Sequence, residues 1–246
     1  MNVLICGCVK NCEKYLDNVI NNIKVIQTIL DKSKIILSYD NSDDNTLNKL
    51  KEHDIQILIN KDELFEDRTK NIEKARNTLL DEIYKEHNKE YNYFIMMDMD
   101  DACSQNINIK VLDKHLKKND WNALSFYNKN YYDYWALSIG EYKQSVWKEK
   151  EPYKEIWKMK RFMEMKLKKN NIIKVHSAFN GFAIHKKDIF KDKKYKTELE
   201  DGYLDCEHKL FYKDIDKIML TKDYLFDEYN GEHNVKEIMD TISKLK

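Results

Sequence analysis

An apolar run that stops on acidic residues constrains this chain more than any other feature. Residues 94–97 read Phe-Ile-Met-Met, and the carboxylates Asp98, Asp100 and Asp101 follow at once. Four consecutive apolar side chains are typical of a strand that is buried on both faces, as in a parallel sheet. The acids then lie at the carboxyl end of that strand, which is where open α/β sheets bind their ligands.

The spacing of two of these acids predicts a divalent-metal site. Asp98 and Asp100 are two residues apart, so their side chains point the same way in an extended segment. Hard carboxylate oxygens are suited to Mg²⁺ or Mn²⁺, and such an ion commonly carries a diphosphate. A lone Asp-x-Asp triplet is also common in solvated loops, but its position after a buried strand favours the metal site.

Strand and helix patterns alternate through the first part of the chain. Strands are predicted at 3–9, 34–39, 55–59 and 92–97, with helices at 12–31, 46–52 and 68–87 between them. This order predicts an α/β fold with a Rossmann-like, mostly parallel central sheet flanked by helices.

The remainder of the chain is less regular. Its predicted helices are 107–118, 154–169 and 205–214, and its predicted strands are 121–127, 131–138 and 217–226. A further pair of strands is predicted within 172–185, around Asn180-Gly181. This dipeptide is read either as a hairpin turn or as a point where the backbone approaches a ligand closely.

Composition argues against several classes of protein. Lysine plus arginine and aspartate plus glutamate both number 43, and this balance argues against a general nucleic-acid binder, although a basic patch offset by acids elsewhere stays open. The five cysteines have no regular spacing, which predicts buried reduced thiols rather than disulfides. No apolar stretch approaches the roughly 20 residues of a membrane span, so we expect a cytoplasmic location.

The predicted topology gathers polar residues at one edge of the sheet. The carboxyl ends of parallel strands bring together Lys10-Asn11, the polar loop 40–46 and the acids after residue 97. The helix after the third strand adds Arg68 and Arg76, whose planar guanidinium groups are suited to phosphate. Each of these features also has a purely structural interpretation. The composition of loop 40–46 is typical of a solvated turn, and the two arginines are typical of a charged helix surface.

In this order, the segments resemble the GT-A glycosyltransferases. The matching segments are 9–13, the loop 39–46, Ala75-Arg76-Asn77 and the Asp98-Met99-Asp100 triplet. Ser177-Ala178-Phe179-Asn180-Gly181 and Cys206-Glu207-His208 resemble a eukaryotic and viral subgroup related to cryptococcal-type mannosyltransferases. That subgroup implies a cytoplasmic place in a virus-infected cell or an association with the virion.

The resemblance implies a role for individual residues. Glu207 lies where inverting members keep a catalytic acid, and in a retaining member it would hold the acceptor or donor; its plainer reading is an exposed acid at a helix N-terminus. His233 has the chain position of a late metal ligand, with His208 as its rival. The donor site is then predicted to comprise Asp40, Asn41, Arg68, Arg76, Asn77, Asp98, Met99, Asn180 and Gly181, and the metal site Asp98, Asp100 and His233.

The expected activity is metal-dependent transfer of a sugar from a nucleotide-sugar donor to a hydroxyl of a glycan or other acceptor. UDP-sugars are favoured and GDP-sugars are possible donors, with Mn²⁺ or Mg²⁺ as the cofactor. We interpret 1–246 as one domain, with donor binding in 1–101 and acceptor binding in 102–246. The aromatic residues of 121–135 are expected mainly to pack in the core or sheet, with Tyr132 or Trp135 as the alternatives for lining an acceptor cleft. A sugar-phosphate nucleotidyltransferase and a non-catalytic carbohydrate-binding protein are the alternatives, although Gly7 stands alone where a nucleotidyltransferase has a glycine-rich loop.

Overall fold

The computed structural model of this chain describes residues 1–61, 64–128 and 130–227. The strands are β1 (Asn2–Val9), β2 (Lys32–Tyr39), β3 (Gln56–Ile59), β4 (Tyr93–Asp98), β5 (Ala123–Phe126), β6 (Ile172–Lys174), β7 (Phe182–Lys186) and β8 (Ile218–Thr221). The helices are α1 (Glu13–Gln27), α2 (Thr46–Lys51), α3 (Arg68–Ile83), α4 (Ile109–Lys118), α5 (Pro152–Lys169) and α6 (Glu207–Phe211). None of the described helices is long and apolar enough to cross a membrane.

The eight strands of the described residues belong to one sheet, in the order β3-β2-β1-β4-β7-β5-β8-β6. The first four strands of that order are parallel to one another. β7 then lies antiparallel to both β4 and β5, β5 and β8 are parallel, and β6 is antiparallel to β8. The predicted α/β fold with a mostly parallel sheet is therefore confirmed, and the sheet joins strands from both halves of the chain.

The alternation of side chains along β1 explains why helices cover both faces of the sheet. Leu4 and Cys6 pack in the same cluster as the apolar residues of α3. Val3 and Ile5 point the other way and pack with the apolar residues of α1. Because both sets are fully buried, β1 has no solvated face, as expected for a central parallel strand.

The predicted strand over 131–138 is wrong. These residues form a loop with a turn at 134–136. The loop pairs with another segment at one isolated antiparallel bridge, between Ser138 and Ser177. The Asp133 carboxylate accepts hydrogen bonds from the backbone N–H groups of Ala136 and Asn180, which closes the turn. Aromatic residues favour strands, but here their burial against neighbouring elements outweighs that preference.

The predicted hairpin around Asn180-Gly181 is also wrong. β6 pairs with β8, whereas β7 lies between β4 and β5, so the two strands within 172–185 are not partners. Asn180 and Gly181 both have positive φ, at 54° and 83°. This left-handed pair redirects the chain so that β7 enters the sheet beside β4.

A close contact beside β4 positions the acidic triplet. A side chain at Gly7 would meet the Met99 Cγ at 2.6 Å and the Met97 carbonyl oxygen at 2.8 Å. Met99 itself is buried, so the backbone of the triplet folds back over β1. Gly7 therefore serves packing at the end of the two central strands.

All five cysteines are free thiols, as predicted. Burial raises the pKa of both Cys8 and Cys12 to about 12, so both thiols stay protonated at neutral pH.

Candidate active site

A cavity of about 410 Å³ opens at the carboxyl end of β4. Five of the predicted site residues line it together: Arg68, Arg76, Asp98, Asp100 and Glu207. They come from α3, from the end of β4 and from the start of α6, which are remote in sequence. The fold thus converts separate polar segments into one pocket at the sheet edge where α/β proteins bind ligands.

The two carboxylates of the triplet are held by different partners. The Asp98 backbone N–H donates to the Gly181 carbonyl at 2.8 Å, and its carboxylate accepts from the Tyr132 hydroxyl at 3.2 Å. Asp100 follows the end of the strand, and its Oδ1 accepts from the Ala102 N–H at 3.0 Å, capping a short 3₁₀ turn. Both side chains therefore line the cavity from fixed backbone positions.

Asp98 and Asp100 fit a cation that arrives together with phosphate. Among the described residues, no group of three or more His, Cys, Asp or Glu side chains is arranged to hold a metal by itself. Mg²⁺ is usually bound through one or two carboxylates, with substrate phosphates and water completing its coordination. His233 lies outside the described residues, so its predicted role stays a prediction.

Arg76 is a buried cation that joins both sides of the cavity. Its Nη1 donates to the Glu207 carboxylate, and its Nη2 lies 3.4 Å from the Asp98 Oδ1. The guanidinium carbon lies 4.6 Å from the centre of the Phe179 ring, a cation–π distance. Burial alone would lower the Arg76 pKa, but the charges of Glu207 and Asp98 outweigh it and raise that pKa. Arg76 is therefore always charged.

The alternative prediction for Glu207, an exposed acid at a helix N-terminus, is wrong. Glu207 is the first residue of α6, is only 5% exposed and pairs with Arg76. Its neighbour His208 is buried, and the His208 Nε2 contacts the same Arg76 Nη1. Because Arg76 has no acceptor, His208 Nε2 must carry the lone pair, which places this nitrogen against a cation rather than against the acids after β4.

The Asn180-Gly181 pair lies beside the acids without lining the cavity wall. A side chain at Gly181 would meet the Tyr132 hydroxyl at 2.9 Å and the Asp98 Oδ2 at 3.7 Å. The Asn180 side chain accepts from the Tyr132 N–H and donates to the Phe126 carbonyl. This pair therefore holds the Tyr132 loop against the triplet, and only glycine fits at its second position.

The polar loop after β2 has two parts with different environments. Ser42, Asp44 and Thr46 accept hydrogen bonds from backbone N–H groups of residues 11–13, at the start of α1. Asp40 and Asn41 precede this part; Asn41 is exposed, and the Asp40 carboxylate accepts from the Asn60 amide. The start of the loop thus presents polar groups at the sheet edge, while the rest anchors α1.

Two predicted donor residues point elsewhere. The Asn77 amide donates to the Tyr195 carbonyl and accepts from the Tyr195 N–H, both at 2.9 Å, so it fixes a loop rather than lining the cavity. The Met99 side chain is 1% exposed and packs on Gly7. Only the backbone of Met99 is left to approach a ligand in this arrangement.

An aromatic wall forms part of the cavity surface. Tyr132, Trp135 and Trp147 line it, and Trp147 is 40% exposed. Trp135 is oriented by its indole N–H, which donates to Asp205 at 2.9 Å. Tyr132 and Trp135 are the predicted alternatives for the acceptor cleft, whereas Trp147 is not predicted, because a tryptophan within a lysine-rich stretch carries no sequence signal of its own.

Comparison with known proteins identifies the fold. No protein-family model matches the chain, and no curated protein matches it in sequence. Among solved structures, TarS 1–349 from S. aureus superimposes with a TM-score of 0.52 at 15% identity, covering 99% of this chain and 65% of that one. Glucosyl-3-phosphoglycerate synthase from Mycobacterium tuberculosis reaches a TM-score of 0.55 at 9% identity, with 99% and 78% covered.

These neighbours have the GT-A glycosyltransferase fold, so the expected fold of this chain is confirmed. The chain spans about two thirds of TarS 1–349 and 39% of the longer TarS chain. TarS 1–349 has been solved with UDP-GlcNAc, and the mycobacterial enzyme with UDP and Mn²⁺ or Mg²⁺. At 9–15% identity, the likeness extends to the fold and not to individual side chains.

We expect Arg76→Met to destabilise the protein by about 3 kcal/mol or more, because it leaves the buried Glu207 charge without its partner. Glu207→Gln in the same chain should recover a large part of this loss, since the unpaired charge is then removed. Urea unfolding of the two single variants and the double variant measures the coupling. Strictly additive losses would contradict the buried ion pair.

Two buried histidines should make stability fall in mild acid. Burial lowers the His185 pKa to about 3, and burial together with Arg76 lowers the His208 pKa well below its usual value. The unfolded chain binds these protons near pH 6.5 and the folded chain does not, so the free energy of unfolding should drop by about 1 kcal/mol per histidine between pH 7 and 5.5. Urea unfolding at both pH values measures this loss.

Removal of one such histidine should reduce the pH dependence. His185→Gln abolishes a titrating group while an amide still faces the Tyr212 hydroxyl, which lies 2.8 Å from the His185 Nε2. The matched control is His176→Gln at an exposed position, which should leave the pH dependence unchanged. If the free energy of unfolding depends on pH equally in the wild type and both variants, His185 is not one of the groups that titrate on unfolding.

Proposed function

We propose that this protein transfers a sugar from a nucleotide-sugar donor to a hydroxyl of an acceptor, with a divalent cation as cofactor. The observation that carries the proposal is the cavity at the end of β4, where Asp98 and Asp100 face a buried arginine within a GT-A fold. The UDP, UDP-GlcNAc and metal ions bound by the structural neighbours support a UDP-sugar donor.

Asp98 and Asp100 are proposed to hold Mn²⁺ or Mg²⁺ against the donor diphosphate. When bound, such an ion neutralises the negative charge that develops on the departing nucleoside diphosphate. Arg76 keeps Asp98 oriented toward the cavity, at the 3.4 Å contact described above. Arg68, which is exposed and lines the same cavity, is suited to a phosphate oxygen.

The remaining donor contacts are proposed along the edge of the parallel strands. Asp40 and Asn41 at the end of β2 offer an acceptor and an amide to the base and ribose. Gly181 leaves room for the sugar beside Asp98, because any side chain there would collide with Tyr132. Asn77 is not carried into this proposal as a direct contact, since its amide is used by Tyr195.

Glu207 is proposed as the acid–base group on the acceptor side. In an inverting reaction it would accept the proton of the attacking hydroxyl, while Arg76 donates to the same carboxylate and orients it. In a retaining reaction it would instead orient the donor or acceptor. The aromatic wall of Tyr132, Trp135 and Trp147 offers flat apolar surface for an acceptor sugar.

Thermal unfolding with a panel of UDP, GDP, UDP-sugars and GDP-mannose tests donor binding. One nucleotide class should raise the melting temperature in the presence of Mn²⁺, because a ligand that binds only the native state stabilises it. Asp100→Asn should abolish this response: the amide oxygen still caps the Ala102 N–H, but the anionic ligand is lost.

Asp113→Asn on the surface of α4 is the matched control, and it should respond like the wild type. An undiminished response in Asp100→Asn would remove the metal assignment. Including GDP-mannose tests the mannosyltransferase resemblance, which would gain support only if GDP donors act and UDP donors do not.

Turnover separates the proposed reaction from its alternatives. Release of nucleoside diphosphate from the stabilising donor indicates a glycosyltransferase. Release of pyrophosphate from a nucleoside triphosphate and a sugar phosphate indicates a nucleotidyltransferase. Binding without either reaction indicates a carbohydrate-binding protein.

Glu207→Gln tests the acid–base role once turnover is measured. We expect kcat to fall by about 10²–10⁴-fold, the usual contribution of a general base, while donor-dependent thermal stabilisation is retained. Glu207→Asp should recover part of the rate, and the exposed Glu141→Gln should have none of these effects. A variant with normal kcat would show that Glu207 only balances the charge of Arg76.

A further inference from the structure

The balanced net charge of the chain hides a strongly basic segment. Residues 143–174 contain ten lysines and one arginine against four glutamates, a net charge of +7 in a chain whose total is zero. Most of this segment is α5, which runs from the cavity toward β6. A basic patch was the possibility that overall charge left open, and the structure shows where it lies.

α5 separates its side chains into two opposite faces. Ile156, Met159, Met163 and Leu167 are buried in the core, at helical spacing. The opposite face exposes Arg161, Met165, Lys168 and Lys169, with Lys166 beside them. We call these last five residues the basic face.

The ion pairs within α5 involve lysines of its first half, including Lys160, whose Nζ lies 3.9 Å from the Glu164 carboxylate. In the first turns, Lys154 pairs with Glu151 at 2.9 Å and Lys158 with Glu155 at 2.5 Å. None of the four cations of the basic face has an acidic partner within ion-pair distance in the ranges 1–61, 64–128 and 130–227. The positive potential is therefore concentrated at the carboxyl-terminal half of α5.

A large apolar side chain lies among these cations. Met165 is 45% exposed, whereas the four apolar residues of the inner face are buried. Two aromatic rings lie below the cations: the Arg161 guanidinium is 4.8 Å from the Trp157 ring centre, and the Lys166 Nζ is 5.2 Å from that of Phe162. Long basic side chains over apolar surface can extend their charges outward while their stems stay covered.

The plainest role of lysines in the last turn is to favour the helix dipole. That effect is worth a few tenths of a kcal/mol per residue and falls off within one turn. It explains neither the cation at Arg161, two turns from the end, nor the exposed methionine between Arg161 and Lys168. A surface that combines uncompensated cations with one protruding apolar group matches an interface with both anionic and apolar layers.

We propose that the basic face binds the surface of an anionic phospholipid bilayer, with the cations at the headgroups and Met165 inserted between them. A nucleic acid or other polyanion would match the charges equally well but would gain nothing from Met165. The described part of this face also offers no exposed aromatic ring on which bases could stack, because Arg161 and Lys166 cover Trp157 and Phe162. The proposal is independent of the sugar-transfer activity.

Sedimentation with phosphatidylcholine vesicles, with and without phosphatidylserine, tests the proposal on the full chain. Binding is expected only with phosphatidylserine and should weaken as salt is raised, because screening shortens the electrostatic range. Each basic residue near such a surface contributes roughly a fivefold factor, so Lys166→Gln/Lys168→Gln/Lys169→Gln should bind on the order of a hundredfold more weakly.

The matched control, Lys24→Gln/Lys51→Gln/Lys118→Gln, changes the net charge equally at exposed positions on other elements and should bind like the wild type. Met165→Gln should weaken vesicle binding severalfold and leave heparin binding unchanged. The proposal is overturned if both triple variants lose binding equally, or if the wild type binds heparin or RNA but no vesicles. The proposal is also overturned if the variant with Lys166, Lys168 and Lys169 replaced melts at a lower temperature but binds vesicles like the wild type. These lysines would then only stabilise the carboxyl-terminal end of α5.

Discussion

The Arg76 guanidinium lies where three parts of the chain meet, and the cavity depends on it. It contacts Asp98 at the end of β4, Glu207 at the start of α6 and the Phe179 ring before β7. Without this cation, two carboxylates would share a buried space and repel one another. A charge on α3 therefore allows acids from the first and second halves of the chain to face the same cavity.

The irregular half of the chain completes a site that the regular half begins. The parallel strands bring Asp40, Asp98 and Asp100 to one edge of the sheet, as in other α/β proteins. The loop around Asp133, the Asn180-Gly181 turn and α6 then close that edge from the opposite side. Because these pieces are in close contact at Gly7 and Gly181, a side chain at either position would collide with its neighbours, and glycine is required at both.

Local patterns predicted most of the fold, and distant partners explain what they missed. The buried strands β1, β2 and β4 and the acids after β4 follow from continuous apolar runs and their ends. The partner of Glu207 is 131 residues away, so its sequence neighbours suggested an exposed helix acid instead of a buried ion pair. Likewise, Asn77 lies next to Arg76 in sequence, but helical geometry turns its amide toward Tyr195 and away from the cavity.

The antiparallel insertion of β7 has a consequence for synthesis on the ribosome. β4 gains its second neighbour only when β7 has been made, more than eighty residues later in the chain. Until then the growing polypeptide carries an unpaired edge with the sequence Phe-Ile-Met-Met, the kind of edge that favours association with other chains. The central sheet thus closes late during translation, and one edge of the apolar strand β4 stays unpaired until β7 has been made.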